Sequence, residues 1–178
     1  MKFLVTGANG FIGQYIVSSL LKLSHTVVAT GRGENKNFQF QSNSNFKYKR
    51  YEMVTEKTSK NLLEYFDFPE AVIHLAWEGL PNYNENFHIS KNVPSSFNLL
   101  SNLIDNGLNN ITIAGTCMEY GNQEGKLNEM ISCNPNTSYS IAKNKLRLKL
   151  LAFFAKNKKR VESFNFQPFL FGSPSRTR

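Results

Sequence analysis

Three glycines spaced three residues apart, directly after a short apolar run, constrain this chain more than any other feature. The run covers residues 2–6, and Gly7, Gly10 and Gly13 follow it with the spacing G-x-x-G-x-x-G. Residues 11–23 then carry apolar side chains at helical spacing. In a strand–turn–helix unit of this kind, the free N–H groups and the dipole of the helix start favour a phosphate. We therefore expect this turn to bind the pyrophosphate of a dinucleotide.

The rest of the chain alternates between short apolar runs and helical patterns. The patterns predict further strands at 26–30, 46–53, 71–76, 110–114 and 161–166, and helices at 59–66, 85–106 and 138–156. Such alternation favours a parallel sheet covered by helices on both faces, and right-handed crossovers make it doubly wound. The sequence therefore predicts an α/β fold of the Rossmann type.

Composition argues against several other classes of protein. The 178 residues are 40% apolar and 19% charged, as in an ordinary folded domain, and no apolar run is long enough to span a membrane. Two cysteines, Cys117 and Cys133, are too few for a disulfide framework or a four-ligand zinc site, which favours a reducing cytoplasm and no metal. The net charge of +8 raises the alternative of a nucleic-acid partner, but no nucleic-acid-binding module accompanies it. We expect neither nucleic acid nor membrane as a partner.

The residues after the second predicted strand indicate which dinucleotide binds. An Asp or Glu at this point hydrogen-bonds the ribose 2′-hydroxyl of NAD, but this chain has Thr30-Gly31-Arg32-Gly33. The Arg32 guanidinium can pair with a 2′-phosphate. Its alternative is a solvated loop arginine. The sequence therefore favours NADP(H) over NAD(H).

Two residues on the predicted helix 138–156 form a candidate proton-transfer pair. Tyr139 and Lys143 have the spacing Y-x-x-x-K, which puts both on one helix face. A nearby ammonium lowers the pKa of a tyrosine, so Tyr139 could exchange a proton with a substrate oxygen while hydride moves to or from a nicotinamide. Thr116 follows the strand 110–114, at the sheet edge where ligands bind, and is expected to hydrogen-bond the same carbonyl. The alternative for Thr116 is a threonine that caps a turn.

In combination, these motifs resemble the extended short-chain dehydrogenase/reductase superfamily, and within it the NAD(P)-dependent sugar-nucleotide epimerase/dehydratase family. The matching segments cover almost the whole chain: 6–13, 72–76, Asn92, Thr116 with Tyr120-Gly121, Tyr139 with Lys143, and Pro168-Phe169-x-x-Gly172. Residues 74–83 and 115–121 are most similar to reductases of nucleotide-linked 4-keto-6-deoxyhexoses, of which the dTDP-4-dehydro-6-deoxyglucose reductases are the nearest class.

The resemblance implies hydride transfer to C4 of such a sugar, as a step towards a bacterial surface polysaccharide. Tyr139 would protonate the C4 oxygen, Lys143 would hold the nicotinamide ribose, and Thr116 would orient the keto group. A homodimer formed through helices 85–106 and 138–156 is also implied. The implied cofactor contacts are Gly7, Asn9, Gly10, Phe11, Ile12, Gly13, Arg32, Leu75, Ala76, Asn92, Tyr139, Lys143 and Pro168.

The sequence also departs from the family pattern at two places. Dehydratases carry Asp-Glu directly after the threonine, whereas Cys117 and Met118 stand here, which argues against dehydration. We expect residues 1–172 to form the NAD(P)-binding domain and 173–178 to be only the beginning of the substrate domain that family members possess. Since remote substrate contacts position the reacting centre, we expect weak or absent turnover by this chain alone. The alternatives are an NAD-dependent nucleotide-sugar 4-epimerase and a non-catalytic dinucleotide-binding protein.

Overall fold

A computed structural model describes residues 1–34, 40–123, 131–156 and 163–167. Within these ranges six strands form one sheet in the order β3-β2-β1-β4-β5-β6, and all neighbouring strands are parallel. The strands are β1 Lys2–Thr6, β2 Thr26–Gly31, β3 Phe46–Arg50, β4 Ala71–His74, β5 Asn110–Ala114 and β6 Ser163–Gln167. The predicted α/β class is confirmed. Because the strand order reverses at β1 and β4, the carboxyl ends of these two strands flank the crevice in which such sheets bind ligands.

Four α-helices accompany the sheet in the described ranges. They are α1 Phe11–Lys22, α2 Leu62–Tyr65, α3 Val93–Asp105 and α4 Ser138–Lys156. The single helix predicted over 85–106 is wrong in its first part, because a π-helical turn, His88–Asn92, precedes α3. Pro94 has no N–H to donate to a carbonyl four residues earlier, so regular α-helical hydrogen bonding cannot pass through this point. Turns of the π type are frequent at functional sites.

Apolar side chains pack against both faces of the sheet. Successive β1 residues alternate, so Leu4 belongs to one cluster and Val5 to the other. The larger cluster joins the sheet to α2, α3 and α4 through Leu62, Leu63, Phe66, Leu99, Leu100, Leu103, Ile104, Leu146 and Leu150. The smaller cluster joins it to α1 through Val17 and Leu21. Burial on both faces fixes the positions of the strand ends that carry the candidate site.

Three further features of the described ranges bear on the expectations from composition. No helix there is long and apolar enough to cross a membrane. No group of three or more His, Cys, Asp and Glu side chains there is arranged to hold a metal ion. Cys117 and Cys133 are both free thiols.

Candidate active site

A groove of about 590 Å³ opens at the carboxyl ends of β1, β2 and β4, within the usual size range of small-molecule sites. It is lined by seven residues that the sequence assigned to a cofactor: Gly7, Asn9, Gly10, Arg32, Leu75, Ala76 and Asn92. Residues that were not assigned also line it, among them Thr6, Thr30, Glu52, Trp77, Glu78 and Lys91. The groove therefore lies where the glycine pattern predicts a dinucleotide.

The glycine turn at one wall of the groove can be made only by glycine. Gly7 has a φ of +67°, and a Cβ on it would lie 2.8 Å from the backbone nitrogen of Ala76. A Cβ on Gly13 would lie 2.3 Å from the carbonyl oxygen of Gly7, so α1 can approach β1 this closely only without a side chain there. No side chain caps the N–H groups at the start of α1. These amides are available to a diphosphate, which fits the predicted ligand.

The Thr30 hydroxyl gives a second sign that the groove takes a polar ligand. Thr30 ends the buried part of β2 and lines the groove, yet its buried side-chain oxygen has no hydrogen-bond partner in the described part of the chain. Buried hydroxyls nearly always have a partner. A ligand hydroxyl or phosphate in the groove would supply one, so the residues present fit a dinucleotide.

Several predicted cofactor residues do not line the groove. Phe11 is 75% exposed, Ile12 is only partly buried, and Gly13 packs against Gly7. Tyr139 and Lys143 lie beside the groove rather than in its lining. Pro168 lies outside the described residues, as does the segment 173–178.

The structure brings the predicted catalytic residues together at the carboxyl end of β5. The Lys143 ammonium donates a hydrogen bond to the Ala114 carbonyl, 2.9 Å away, and lies 5.9 Å from the centroid of the Tyr139 ring. The backbone N–H of Tyr139 donates to the carbonyl of Tyr83 at 2.8 Å. Tyr139, Lys143 and Thr116 are all buried. The cluster therefore has the composition expected of a proton-transfer site.

The electrostatics of this cluster differ from the expectation. Burial raises the pKa of Tyr139, and a hydrogen bond with the Thr116 hydroxyl opposes this. The expected lowering by Lys143 is not found, because Lys143, with a pKa of about 7, is neutral at the pH where a tyrosine titrates. Burial also lowers the pKa of Lys143 to about 7, with the Glu119 carboxylate acting in the opposite direction. Tyr139 therefore carries its proton at neutral pH.

Glu119 is a site residue that the sequence analysis missed. Its Oε1 accepts a hydrogen bond from the backbone N–H of Thr116 at 2.9 Å, and the Thr116 hydroxyl accepts one from Met118 at 3.3 Å. This is a capping box on the 3₁₀ turn Cys117–Tyr120. Glu119 is buried, and burial raises its pKa. The Thr-x-x-Glu spacing was the signal that could have found it. Thr116 caps this turn, and its contact with a substrate carbonyl stays a prediction.

Trp77 connects the groove to the catalytic cluster. Its indole lines the groove, and the Lys143 ammonium lies 4.0 Å from the centroid of the indole ring. The indole N–H donates to Nδ1 of His88 at 3.0 Å, and Nε2 of His88 donates to the carbonyl of Asn82 at 2.9 Å. His88 therefore fixes the orientation of Trp77, which is the only tryptophan in the sequence.

His74, interpreted from the sequence as a core histidine, is buried at the end of β4. The Thr6 hydroxyl accepts hydrogen bonds from the N–H groups of Leu75 and Ala76 and donates to Nδ1 of His74 at 2.8 Å. Burial lowers the pKa of His74 to about 3, and the Lys143 ammonium acts in the same direction. His74 is therefore neutral and ties the ends of β1 and β4 together.

Arg32 is not free at the open end of the groove. Its Nη1 lies 2.7 Å from Oε1 of Glu78, whose Oε2 lies 2.9 Å from the ammonium of Lys91. Lys91, and then Arg32, hold the pKa of Glu78 below its usual range. The guanidinium predicted to meet a 2′-phosphate thus has a carboxylate partner from the opposite wall, a contact that the sequence did not reveal.

Comparison with known proteins agrees with this geometry. The chain is 32% identical over 154 residues to a dTDP-6-deoxy-L-talose 4-dehydrogenase (NAD(+)) of Aggregatibacter actinomycetemcomitans, covering 86% of this chain and 55% of that protein. It is 27% identical over 155 residues to an uncharacterized UDP-glucose epimerase of Bacillus subtilis, covering 80% of this chain and 48% of that protein. The chain spans about half the length of the curated relatives it matches.

Solved structures share the same architecture. MoeE5 in complex with UDP-glucose and NAD has a TM-score of 0.73 at 25% identity, covering 90% of this chain and 52% of its own. UDP-glucuronic acid 4-epimerase from Bacillus cereus in complex with NAD has a TM-score of 0.70 at 25% identity, covering 87% and 52%. The family model that matches residues 3–176 is that of the NAD dependent epimerase/dehydratases. The predicted family is confirmed, and the chain belongs to the NAD dependent epimerase/dehydratase family.

Proposed function

We propose that this chain forms the nicotinamide-dinucleotide half of an enzyme that reduces C4 of a nucleotide-linked 4-keto-6-deoxyhexose. The observation that carries the proposal is the juxtaposition of the glycine-turn groove with the Tyr139, Lys143 and Thr116 cluster, joined by Trp77. The relative named for dehydrogenation at C4 of dTDP-6-deoxy-L-talose supports this sugar class, since that dehydrogenation is such a reduction run backwards.

The residues of the cluster have distinct roles in this proposal. A bound nicotinamide dinucleotide supplies the hydride. Tyr139 keeps its proton at neutral pH because burial raises its pKa, so it can deliver that proton to the C4 oxygen as a keto group is reduced. The Thr116 hydroxyl orients the same oxygen, and Lys143 holds the nicotinamide ribose. A protonated tyrosine suits reduction better than oxidation.

The turn after Thr116 supports reduction rather than loss of water. Cys117 and Met118 begin the 3₁₀ turn and offer no carboxylate. The carboxylate that is present, Glu119, accepts the backbone hydrogen bond of the capping box. No acid in this turn is therefore available to protonate a leaving hydroxyl.

The second candidate is an NAD-dependent nucleotide-sugar 4-epimerase. The UDP-glucose epimerase relative and the solved 4-epimerase favour it. An epimerase returns the hydride to the same sugar and therefore retains its dinucleotide. NAD(H) that stays with the protein through purification would favour this candidate, whereas a dinucleotide that exchanges freely would favour the reductase.

The finer parts of the proposal remain predictions. Preference for NADP(H) depends on Arg32 leaving Glu78, and the relatives' names and structures carry NAD. A homodimer is supported by the outward-facing Ile141, Leu148 and Leu151 of α4. The cytoplasmic location, the role in polysaccharide synthesis and weak turnover by the chain alone likewise stay predictions.

Tyr139→Phe tests the proposed function. We expect single-turnover hydride transfer from the reduced dinucleotide to dTDP-4-keto-6-deoxyglucose to fall by about 10²- to 10⁴-fold, the usual contribution of a positioned acid. Binding of the dinucleotide, followed by quenching of Trp77 fluorescence, should change little. Tyr15→Phe, on the exposed side of α1 and outside the groove lining, is the matched control. An unchanged transfer rate in Tyr139→Phe contradicts the proposal.

A further inference from the structure

Three charged side chains from three separate segments meet at the open end of the groove. Arg32 follows β2, Glu78 lies four residues beyond β4, and Lys91 belongs to the π-helical turn. Glu78 accepts from both cations, at 2.7 Å from Arg32 and 2.9 Å from Lys91. All three line the groove. The carboxylate therefore links the β2 wall to the opposite wall.

The position of Glu78 is fixed by its backbone. Its carbonyl accepts a hydrogen bond from the side-chain amide of Asn92 at 2.9 Å, and Asn92 is buried. The Glu78 side chain is 33% exposed, against 58% for Arg32. Of the two partners, the carboxylate is thus the more buried, on a backbone held by Asn92.

We propose that Glu78 is a specificity-determining residue that weakens binding of the 2′-phosphate of NADP(H) by holding Arg32. This rests on the proposed function in one respect, namely that the groove binds a nicotinamide dinucleotide. The end of β2 lacks the carboxylate that would select a 2′-hydroxyl, and Glu78 supplies one from the opposite wall. A 2′-phosphate must draw Arg32 away from Glu78, and the loss of that ion pair lowers its affinity. A 2′-hydroxyl leaves the ion pair intact.

The experiment compares the affinities of NAD⁺ and NADP⁺ in four variants of the full chain. Trp77 fluorescence reports binding, with calorimetry as a second readout, so that no turnover is needed. The variants are Glu78→Gln, Arg32→Ala, the double substitution, and Glu85→Gln as the matched control. Glu85 is exposed and outside the groove lining, so its substitution makes the same change in net charge. Circular dichroism confirms that each variant is folded.

We expect Glu78→Gln to raise the affinity for NADP⁺ relative to NAD⁺ by about fivefold, the upper range for a partly exposed charge pair. The shift should shrink in high salt and disappear in the Arg32→Ala background. An equal gain for both dinucleotides, persistence without Arg32, or the same shift in Glu85→Gln would overturn the inference. If NAD⁺ binds but the ratio does not move, the inference fails and the proposed function stands. If neither dinucleotide binds any folded variant, the proposed function fails and the inference fails with it.

Discussion

Two regions treat similar charged groups in opposite ways: the open end of the groove, and the buried catalytic cluster beside the groove, which we call the closed end. At the open end the side chains of Glu78, Arg32 and Lys91 are 33%, 58% and 46% exposed. At the closed end Lys143 is 2% exposed and Glu119 is 4% exposed. The cations lower the pKa of Glu78, whereas burial raises the pKa of Glu119. The pKa values of the two carboxyl groups shift in opposite directions because their environments differ.

The two ends therefore contribute differently to the stability of the fold. Exposed ion pairs contribute about 0–1 kcal/mol to stability, so the open end can adjust ligand preference at little cost to the fold. A buried ammonium must be desolvated, and Lys143 is placed against the Ala114 carbonyl and the rings of Trp77 and Tyr139. The closed end therefore keeps a destabilising group, as expected of a site that trades stability for the proposed activity.

Lys143→Met should have the largest effect on both hydride transfer and the stability of the fold. We expect hydride transfer to fall by about 10²-fold or more, since the ammonium that holds the ribose is lost. Removing a buried charge should at the same time stabilise the fold at neutral pH. Lys145→Met, an exposed residue on the same helix, makes the same change in charge and should do neither. Loss of stability in Lys143→Met would contradict the conclusion that the buried ammonium destabilises the closed end.

The stabilisation expected from Lys143→Met should depend on pH. The pKa of Lys143 is about 7 in the folded chain, against an ordinary value of 10.5. Between these values the unfolded chain holds a proton that the folded chain has lost, so stability rises with pH across this window. Below pH 7 both states are protonated and the burial penalty is present in full. The gain in unfolding free energy from Lys143→Met, measured by denaturant titration, should therefore be greatest below pH 7 and fade towards 10.5.

Substitution of Glu119 should have an intermediate effect. Glu119→Ala leaves the buried N–H of Thr116 without an acceptor, which costs about 1–3 kcal/mol of unfolding free energy. Because the Thr116 hydroxyl loses its fixed orientation, we expect kcat to fall while the dinucleotide affinity stays constant. Glu119→Gln keeps an acceptor oxygen and should restore most of the stability. If the Gln variant is as unstable as the Ala variant, the charge rather than the capping box is what matters at the closed end.

The sequence predicted those parts of the molecule that hydrophobic periodicity and motif spacing govern. The bounds of β1, β5 and α4 agree with the predicted ones, because each is a clear apolar pattern between turn signals. The groove wall made by Gly7 was predicted for the same reason, since its backbone conformation requires glycine. Local sequence and global fold are consistent in these segments.

The contacts that the sequence did not predict join side chains of separate segments. Arg32 and Glu78 are 46 residues apart, and no periodicity relates them. The spacing of Tyr139 and Lys143 predicted a shared helix face, but it could not predict that burial raises the pKa of the tyrosine. Burial depends on elements from the whole sheet, as does the contact of Trp77 with Lys143. The spacing of residues in the sequence cannot predict such tertiary contacts.

Lys91→Met should produce the smallest change and thereby tests how separate the two ends are. Lys91 is 46% exposed and contacts Glu78 at 2.9 Å, so its loss should alter the free energy of unfolding by less than about 1 kcal/mol. Hydride transfer should be unaffected. With one cation removed, Glu78 remains paired with Arg32 and its charge is less neutralised, so NADP⁺ should bind slightly more weakly relative to NAD⁺, the opposite of the Glu78→Gln result. Fluorescence titration in low salt resolves the sign, and a large fall in the transfer rate would show that the open end reaches the catalytic cluster after all.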